Sequence, residues 1–65
     1  MNPVIEISRF YSEDKVRVAY LFYHQDKNLF EIEMFVGGKR IGVKRIKNRS
    51  IQYCEDLCED YVFQT

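Results

Sequence analysis

The chain has 65 residues, of which 46% are hydrophobic and 31% are charged, and its ten acidic side chains balance its ten basic ones. This composition is that of a globular protein, and it excludes a disordered tail, a collagen repeat and a coiled-coil rod. The length predicts a single domain, residues 1–65, of marginal stability, and the zero net charge argues against a protein that mainly coats nucleic acid or an anionic membrane.

Neither a membrane span nor a secretory signal is visible in the sequence. No run of about 18 apolar residues occurs. The N-terminal residues 1–3 lack the basic start and the long apolar stretch of a signal peptide. These features predict a cytoplasmic protein with no membrane partner.

Four segments have the alternation of apolar and polar residues, and the content of β-branched and aromatic residues, that is typical of β-strands. Short turns separate them, and Gly37-Gly38 between the last two suits a type I′ hairpin, whose central residues need positive φ angles. The predicted strands are Val4–Tyr11, Val16–His24, Leu29–Val36 and Ile41–Ile46.

The turns predict a register for each pair of strands. The two-glycine turn places Ile32 opposite Val43. A three-residue loop, residues 26–28, places Phe22 opposite Ile32, and a tight turn after the first strand places Ile5 opposite Phe22. All three turns therefore predict the same buried face, which comprises Ile5, Ile7, Tyr11, Val16, Val18, Tyr20, Phe22, Phe30, Ile32, Met34, Ile41 and Val43.

The C-terminal segment is predicted to cover this face as an amphipathic helix. From about Ser50, a suitable N-cap, to about Phe63, apolar residues recur at the i, i+3, i+4, i+7 spacing. A helix of about 14 residues is roughly 21 Å long, which matches a strand of seven residues. The predicted fold is therefore α+β, a four-stranded antiparallel meander with one C-terminal helix packed across one face, in the order β-β-β-β-α.

The opposite face of the predicted sheet is only partly polar. A connected apolar patch that one helix cannot cover marks a partner surface or a homodimer contact. The alternative is that these residues are singly exposed, as in ordinary proteins, or curl round the sheet edge. The predicted partner-binding residues are Leu21, Tyr23, Leu29, Phe35 and Ile46, supported by Arg40 and Lys44.

Basic residues are concentrated in the segment 39–49, which contains no acidic residue. One interpretation is a nucleic-acid-binding edge that neutralises phosphates. The other is protection of an edge strand against aggregation, which is favoured because no aromatic RNA-binding motif such as RNP1 is present. Nucleic acid is therefore the alternative partner, and its candidate residues are Lys39, Arg40, Lys44, Arg45, Lys47 and Arg49.

The sequence predicts no enzyme, no cofactor and no metal site. His24 is the single histidine and lies by a turn, where it is a turn residue rather than a general base. Cys54 and Cys58 share one helical face, where a disulfide fits badly and a zinc ion would lack further ligands. They are therefore predicted to be packing residues. The pair Gly37-Gly38 is no phosphate loop, because no helix follows it.

The stretch from Ser50 to Val62, with the sequence SIQYCEDLCEDYV, resembles the closing helix of many short phage- and prophage-encoded accessory proteins. In those proteins a serine cap precedes a pattern like Tyr-Ala-Glu-Asp-x-Ala-Glu-Asn-Trp-Val. Here Cys54 and Cys58 stand where alanines are common, and Asp60-Tyr61 replaces Asn-Trp. The resemblance implies a small protein made in an infected bacterium, and therefore in the host cytoplasm. The predicted function is a non-enzymatic protein-binding module that inhibits or modulates a host or bacterial immune protein by steric occlusion.

Overall fold

The chain forms one antiparallel sheet and one helix in a computed structural model that describes residues 3–64. The strands follow one another across the sheet in the order β1-β2-β3-β4, and helix α1 packs against one side. The predicted α+β meander with one C-terminal helix is thereby confirmed. The elements are β1 (Val4–Tyr11), β2 (Arg17–His24), β3 (Leu29–Val36), β4 (Lys39–Ile46) and α1 (Ile51–Val62).

Helix α1 begins and ends where the sequence predicts. The hydroxyl oxygen of Ser50 accepts a hydrogen bond of 3.2 Å from the backbone N–H of Tyr53. This cap satisfies one of the N–H groups that the first turn of a helix leaves unpaired. At the other end, the backbone N–H of Phe63 donates to the carbonyl oxygen of Glu59 at 2.9 Å.

Replacing Ser50 with alanine is expected to lower the free energy of unfolding by about 1 kcal/mol, because the N–H of Tyr53 loses its partner. Ser50→Asp keeps an acceptor at the same place and adds a negative charge that the helix N-terminus favours, so it should retain the wild-type stability. Urea denaturation followed by circular dichroism measures both variants. Equal stability of Ser50→Ala and the wild type would contradict the role given to this cap.

The core lies between α1 and one side of the sheet, called here the inner face, which carries Ala19, Leu21 and Ile32. These side chains pack beneath Cys54 and Cys58 of the helix, and none of the five is more than 2% exposed. Because Ala19 and the two cysteines are small, the helix can approach the middle of the sheet closely. Val62 completes the buried cluster, and the partly buried residues around it are Ile7, Phe10, Phe30, Met34, Ile46, Leu57 and Tyr61.

The side chains of β2 point to the faces opposite to those predicted. Leu21, not Phe22, lies opposite Ile32. The loop between β2 and β3 has four residues, 25–28, whereas the prediction assumed three. The extra residue shifts the register by one, so every side chain of β2 lies on the side of the sheet opposite to the predicted one. The side that α1 does not cover is called here the outer face, and it carries Val18, Tyr20, Phe22, Glu31, Glu33 and Phe35.

A bulge in β4 displaces its side chains as well. The turn at residues 37–38 forms as predicted, with φ angles of 58° and 83° at its two glycines. Further along the pair the register shifts, so that Ile32 lies opposite Lys44 and not opposite Val43. A bulge inserts one unpaired residue, which a strictly alternating pattern cannot predict.

The first strand also contains a register shift, between Glu6 and Ser8. With these three shifts, the prediction of the buried face is right for only four residues. These residues contact the core, and they are Ile7, Phe30, Ile32 and Met34. The prediction is wrong for residues that are exposed or lie on the outer face, namely Ile5, Tyr11, Val16, Val18, Tyr20, Phe22, Ile41 and Val43.

Tyr61 fixes the C-terminal half of α1 on the sheet. Its hydroxyl donates a hydrogen bond of 2.7 Å to the carbonyl oxygen of Phe35 in β3. The β3–β4 register shifts between Met34 and Phe35, so this carbonyl lies where the ladder is irregular. The bond joins two part-buried polar groups and positions the helix relative to β3.

Candidate protein-binding surface

The centre of the outer face is aromatic. Tyr20 and Phe22 project from β2 and Phe35 projects from β3, and we call these three residues the aromatic cluster. Strands β2 and β3 are the two central strands of the sheet, so the cluster lies in the middle of the outer face. All three side chains are half-buried, and within residues 3–64 no helix or strand packs over them.

The rings of the aromatic cluster hold one another in place. The ring centroids of Tyr20 and Phe35 are 5.2 Å apart at an interplanar angle of 62°, and those of Tyr20 and Phe22 are 6.3 Å apart at 67°. Edge-to-face pairs of this kind are favourable and directional. The guanidinium carbon of Arg9 lies 5.4 Å from the centroid of the Tyr20 ring, a cation–π distance. The cluster is therefore a preorganised apolar surface with a cation at its edge.

Charged residues surround the aromatic cluster, and they are paired. Arg9 Nε lies 2.7 Å from a carboxylate oxygen of Glu6, and this contact raises the pKa of the Arg9 guanidinium. Each cation is an arginine of β1 or β4, and each of the three anions is a glutamate of β1 or β3. The other two pairs are Arg40 with Glu33 at 3.3 Å and Arg45 with Glu31 at 3.1 Å. The charges of these six residues cancel.

His24 ends β2 just before the turn, as predicted, and lies at one end of the outer face. Its Nε2 is 3.2 Å from a carboxylate oxygen of Glu31, the residue that Arg45 also contacts. The geometry of this contact is not that of a hydrogen bond. His24, Glu31 and Arg45 therefore form a group of polar side chains at this end of the outer face.

The two cysteines lie in the core, as predicted, and are free thiols. Burial, together with the negative charge that Cys54 and Glu55 would add, raises the pKa of the Cys58 thiol to about 12. Burial also raises the pKa of the Cys54 thiol. Since the thiolate is the reactive and metal-binding form, both side chains are held in the inert form.

Four of the predicted partner-binding residues lie on the inner side of the sheet, which corrects the prediction. Leu21 is fully buried beneath α1, and Ile46 packs against the core. Lys44 lines a cavity together with α1. Tyr23 lies with Phe30 in an apolar groove of about 360 Å³ beside the start of α1. The physical reason is the shifted registers of β2 and β4, which turn these side chains inward.

The other three predicted residues belong to the outer side. Phe35 is a member of the aromatic cluster, and Arg40 is one of the paired arginines. Leu29 pairs with His24 at the start of β3 but is only 7% exposed, so it offers little surface to a partner. The prediction therefore places two accessible residues correctly and misses the centre of the face, Tyr20 and Phe22.

The basic segment 39–49 does not form one continuous basic surface. Arg40 and Arg45 lie on the outer face, and each contacts a glutamate of β3. Lys44 lies on the other side of the sheet in a cavity that Asp60 also lines. The remaining candidates for nucleic-acid binding, which are all exposed, are Lys39, Lys47 and Arg49.

Two other kinds of site are absent from the part of the chain that the structure describes. Between residues 3 and 64, no three His, Cys, Asp or Glu side chains come together in a way that could hold a metal ion. Over the same residues, no helix is both long and apolar enough to cross a membrane. The aromatic cluster and the paired charges around it form the candidate functional site.

Comparison of the chain with protein-family models, with curated proteins and with solved structures gave no significant match.

Proposed function

We propose that the chain is a small, non-enzymatic protein-binding module that binds its partner through the outer face. The observation that carries the proposal is the aromatic cluster at the centre of a sheet face that α1 leaves uncovered. Aromatic and arginine side chains contribute most of the energy in many protein interfaces, and they do so best at the centre of the contact. The paired charges round the cluster correspond to the polar rim of such an interface.

The charges of the outer face favour a protein over a nucleic acid. Glu31 and Glu33 lie on β3, next to the aromatic cluster, and would repel a phosphate backbone. Arg40 and Arg45 already contact these carboxylates, so a phosphate would have to displace them. The nucleic-acid-binding module that uses segment 39–49 therefore remains the second candidate. An affinity for nucleic acid that falls steeply as the salt concentration rises, measured by gel shift, would support it.

The class of partner is a separate question. The resemblance of the segment from Ser50 to Val62 to phage accessory proteins favours a host or bacterial immune protein in the cytoplasm, which the module would inhibit or modulate by occluding one of its surfaces. A face that binds a protein by burying apolar surface needs no catalytic group, which agrees with inhibition by occlusion. This choice of partner depends on the resemblance alone and stays a prediction.

Photo-crosslinking tests the binding role of the outer face. With Phe22 replaced by p-benzoylphenylalanine, we expect covalent adducts with a protein, because this side chain lies at the centre of the proposed contact. The matched control carries the same crosslinker at Gln52, which is exposed on α1 away from the sheet. Excess wild-type protein should suppress adducts with a different protein, and excess of a variant with Tyr20→Ser and Phe35→Ser should not. Equal adducts from positions 22 and 52 would contradict the proposal.

A further inference from the structure

We infer that the partner of the outer face is a second copy of this chain, so that two sheets pack face to face about a two-fold axis. The inference rests on the proposed protein-binding role of this face and names a second copy, in place of a host protein, as its occupant. Three observations support it: the distribution of charge over the molecule, the position of the aromatic cluster and the size of the face.

Charge distinguishes the outer face from the other surfaces of the molecule. The exposed side of α1 is acidic, and two copies joined there would bring their carboxylates together. Apart from the two arginines of the outer face, the edge at β4 and the segment after it carry four basic residues and no acid, so this edge also repels itself. On the outer face the three arginines and three glutamates cancel. It is therefore a surface on which two identical molecules can meet without net repulsion. The acidic residues of α1 are Glu55, Asp56, Glu59 and Asp60.

The arrangement of the face is compatible with a two-fold axis. In such a dimer the same patch is used on both molecules, and the middle of one sheet lies over the middle of the other. The aromatic clusters of the two copies would therefore face each other at the centre of the contact. The ion-paired arginines, which lie on the edge strands β1 and β4, would form its rim.

The size of the face is sufficient for a specific contact. Four strands about 4.8 Å apart, each of eight residues at about 3.3 Å, form a rectangle of roughly 19 by 26 Å, or about 500 Å² for each copy. Two copies would therefore bury on the order of 1,000 Å², which is the lower bound for a specific interface. This favours a reversible dimer over a permanent one.

Sedimentation equilibrium of the purified chain over a wide range of concentration tests the dimer. We expect the average mass to rise from the chain mass of 7.9 kDa toward twice that value. Phe22→Ser should weaken the association at least about tenfold, as the loss of a central aromatic contact does. The matched control is Phe63→Ser, the same change at a phenylalanine that is 61% exposed at the end of α1, and it should leave the association unchanged. A constant mass of 7.9 kDa for the wild type would overturn the inference.

A pair of charge reversals tests whether the two copies meet through this face even if Phe22→Ser fails to fold. Arg45→Glu leaves the outer face with an excess of negative charge, and Glu6→Arg leaves it with an excess of positive charge. Both positions are exposed rim residues. Each variant alone should associate more weakly than the wild type, and an equimolar mixture of the two should restore the association. A mixture no stronger than the separate variants would overturn the inference.

The crosslinker at position 22 separates failure of the dimer from failure of the proposed function. An adduct of twice the chain mass in purified protein supports the second copy. An adduct that forms with a different protein in a bacterial lysate, and not in purified protein, overturns the dimer and keeps the protein-binding role. No adduct beyond that of the Gln52 control in either setting would overturn both.

Discussion

Leu21→Ala is expected to lower the free energy of unfolding by about 3 kcal/mol, within the range of about 2 to 5 kcal/mol measured for buried leucines. Leu21 is fully buried beneath Cys54 and Cys58, and the small side chains around it cannot move enough to fill the space that the variant leaves. A domain of 65 residues has only a few kcal/mol of stability in total, so a large fraction of the variant should be unfolded at room temperature. Urea denaturation and near-ultraviolet circular dichroism measure the loss.

The neighbouring residue provides the matched control. Phe22 is adjacent in sequence but lies on the outer face, so Phe22→Ala in dilute solution should cost about 1 kcal/mol or less, although it removes a larger side chain. The comparison therefore measures which residues of β2 face the helix. A greater loss for Phe22→Ala than for Leu21→Ala would show that β2 has the opposite orientation.

The thiol of Cys58 is expected to react at least about a thousandfold more slowly with a disulfide reagent in the native protein than in urea. The shift in the pKa of Cys58 from 9.0 to about 12 alone reduces the thiolate fraction near neutral pH by about a thousandfold. The thiol is also wholly shielded from solvent, which blocks approach of the reagent. Absorbance of the released product, followed after mixing, gives the rate.

Cys54→Ala isolates the reaction of Cys58, and Cys58→Ala isolates that of Cys54, whose pKa is also raised by burial. A surface cysteine introduced at Gln52, an exposed residue of the same helix, serves as the internal standard and should react rapidly. Native rates for Cys58 that equal the rate at position 52 would contradict the burial of the thiol under the sheet.

The strands, the helix and its caps could be predicted because their signals are local in the sequence. The serine cap at residue 50 and the spacing of apolar residues after it define α1 without reference to the sheet. The Gly37-Gly38 turn is equally local, since its positive φ angles need little but two glycines. These elements lie within a residue or two of the predicted bounds.

The orientation of β2 could not be predicted, because nearly every residue from Val18 to Tyr23 is apolar and the strand has no polar side. The choice between its two faces depended on whether the loop after it has three or four residues, which the sequence does not determine. The useful signal lay elsewhere. A helix that approaches a sheet closely needs small residues at the contact, and Ala19 matches Cys54 and Cys58 where Tyr20 would not fit.

The expectation that the sheet is apolar on both sides agrees with the structure, although the residues differ. Phe35 and Arg40 lie on the uncovered face as predicted, and Tyr20 and Phe22 take the place of Leu21 and Tyr23. The shift in β1 had no sequence signal, because this strand contains neither a glycine nor a proline. The bulge in β4 did have one, since Gly42 lies directly beside it and a glycine within a strand often marks a bulge.

The meander order also determines how the chain can fold. Each strand pairs with a strand next to it in sequence, so the whole sheet can form by closing loops of a few residues, which costs little entropy. The longest loop is closed when α1 packs over Leu21, which lies some thirty residues earlier in the chain. Because this closure spans the longest loop, we expect docking of the helix, rather than pairing of the strands, to be the slowest step of folding.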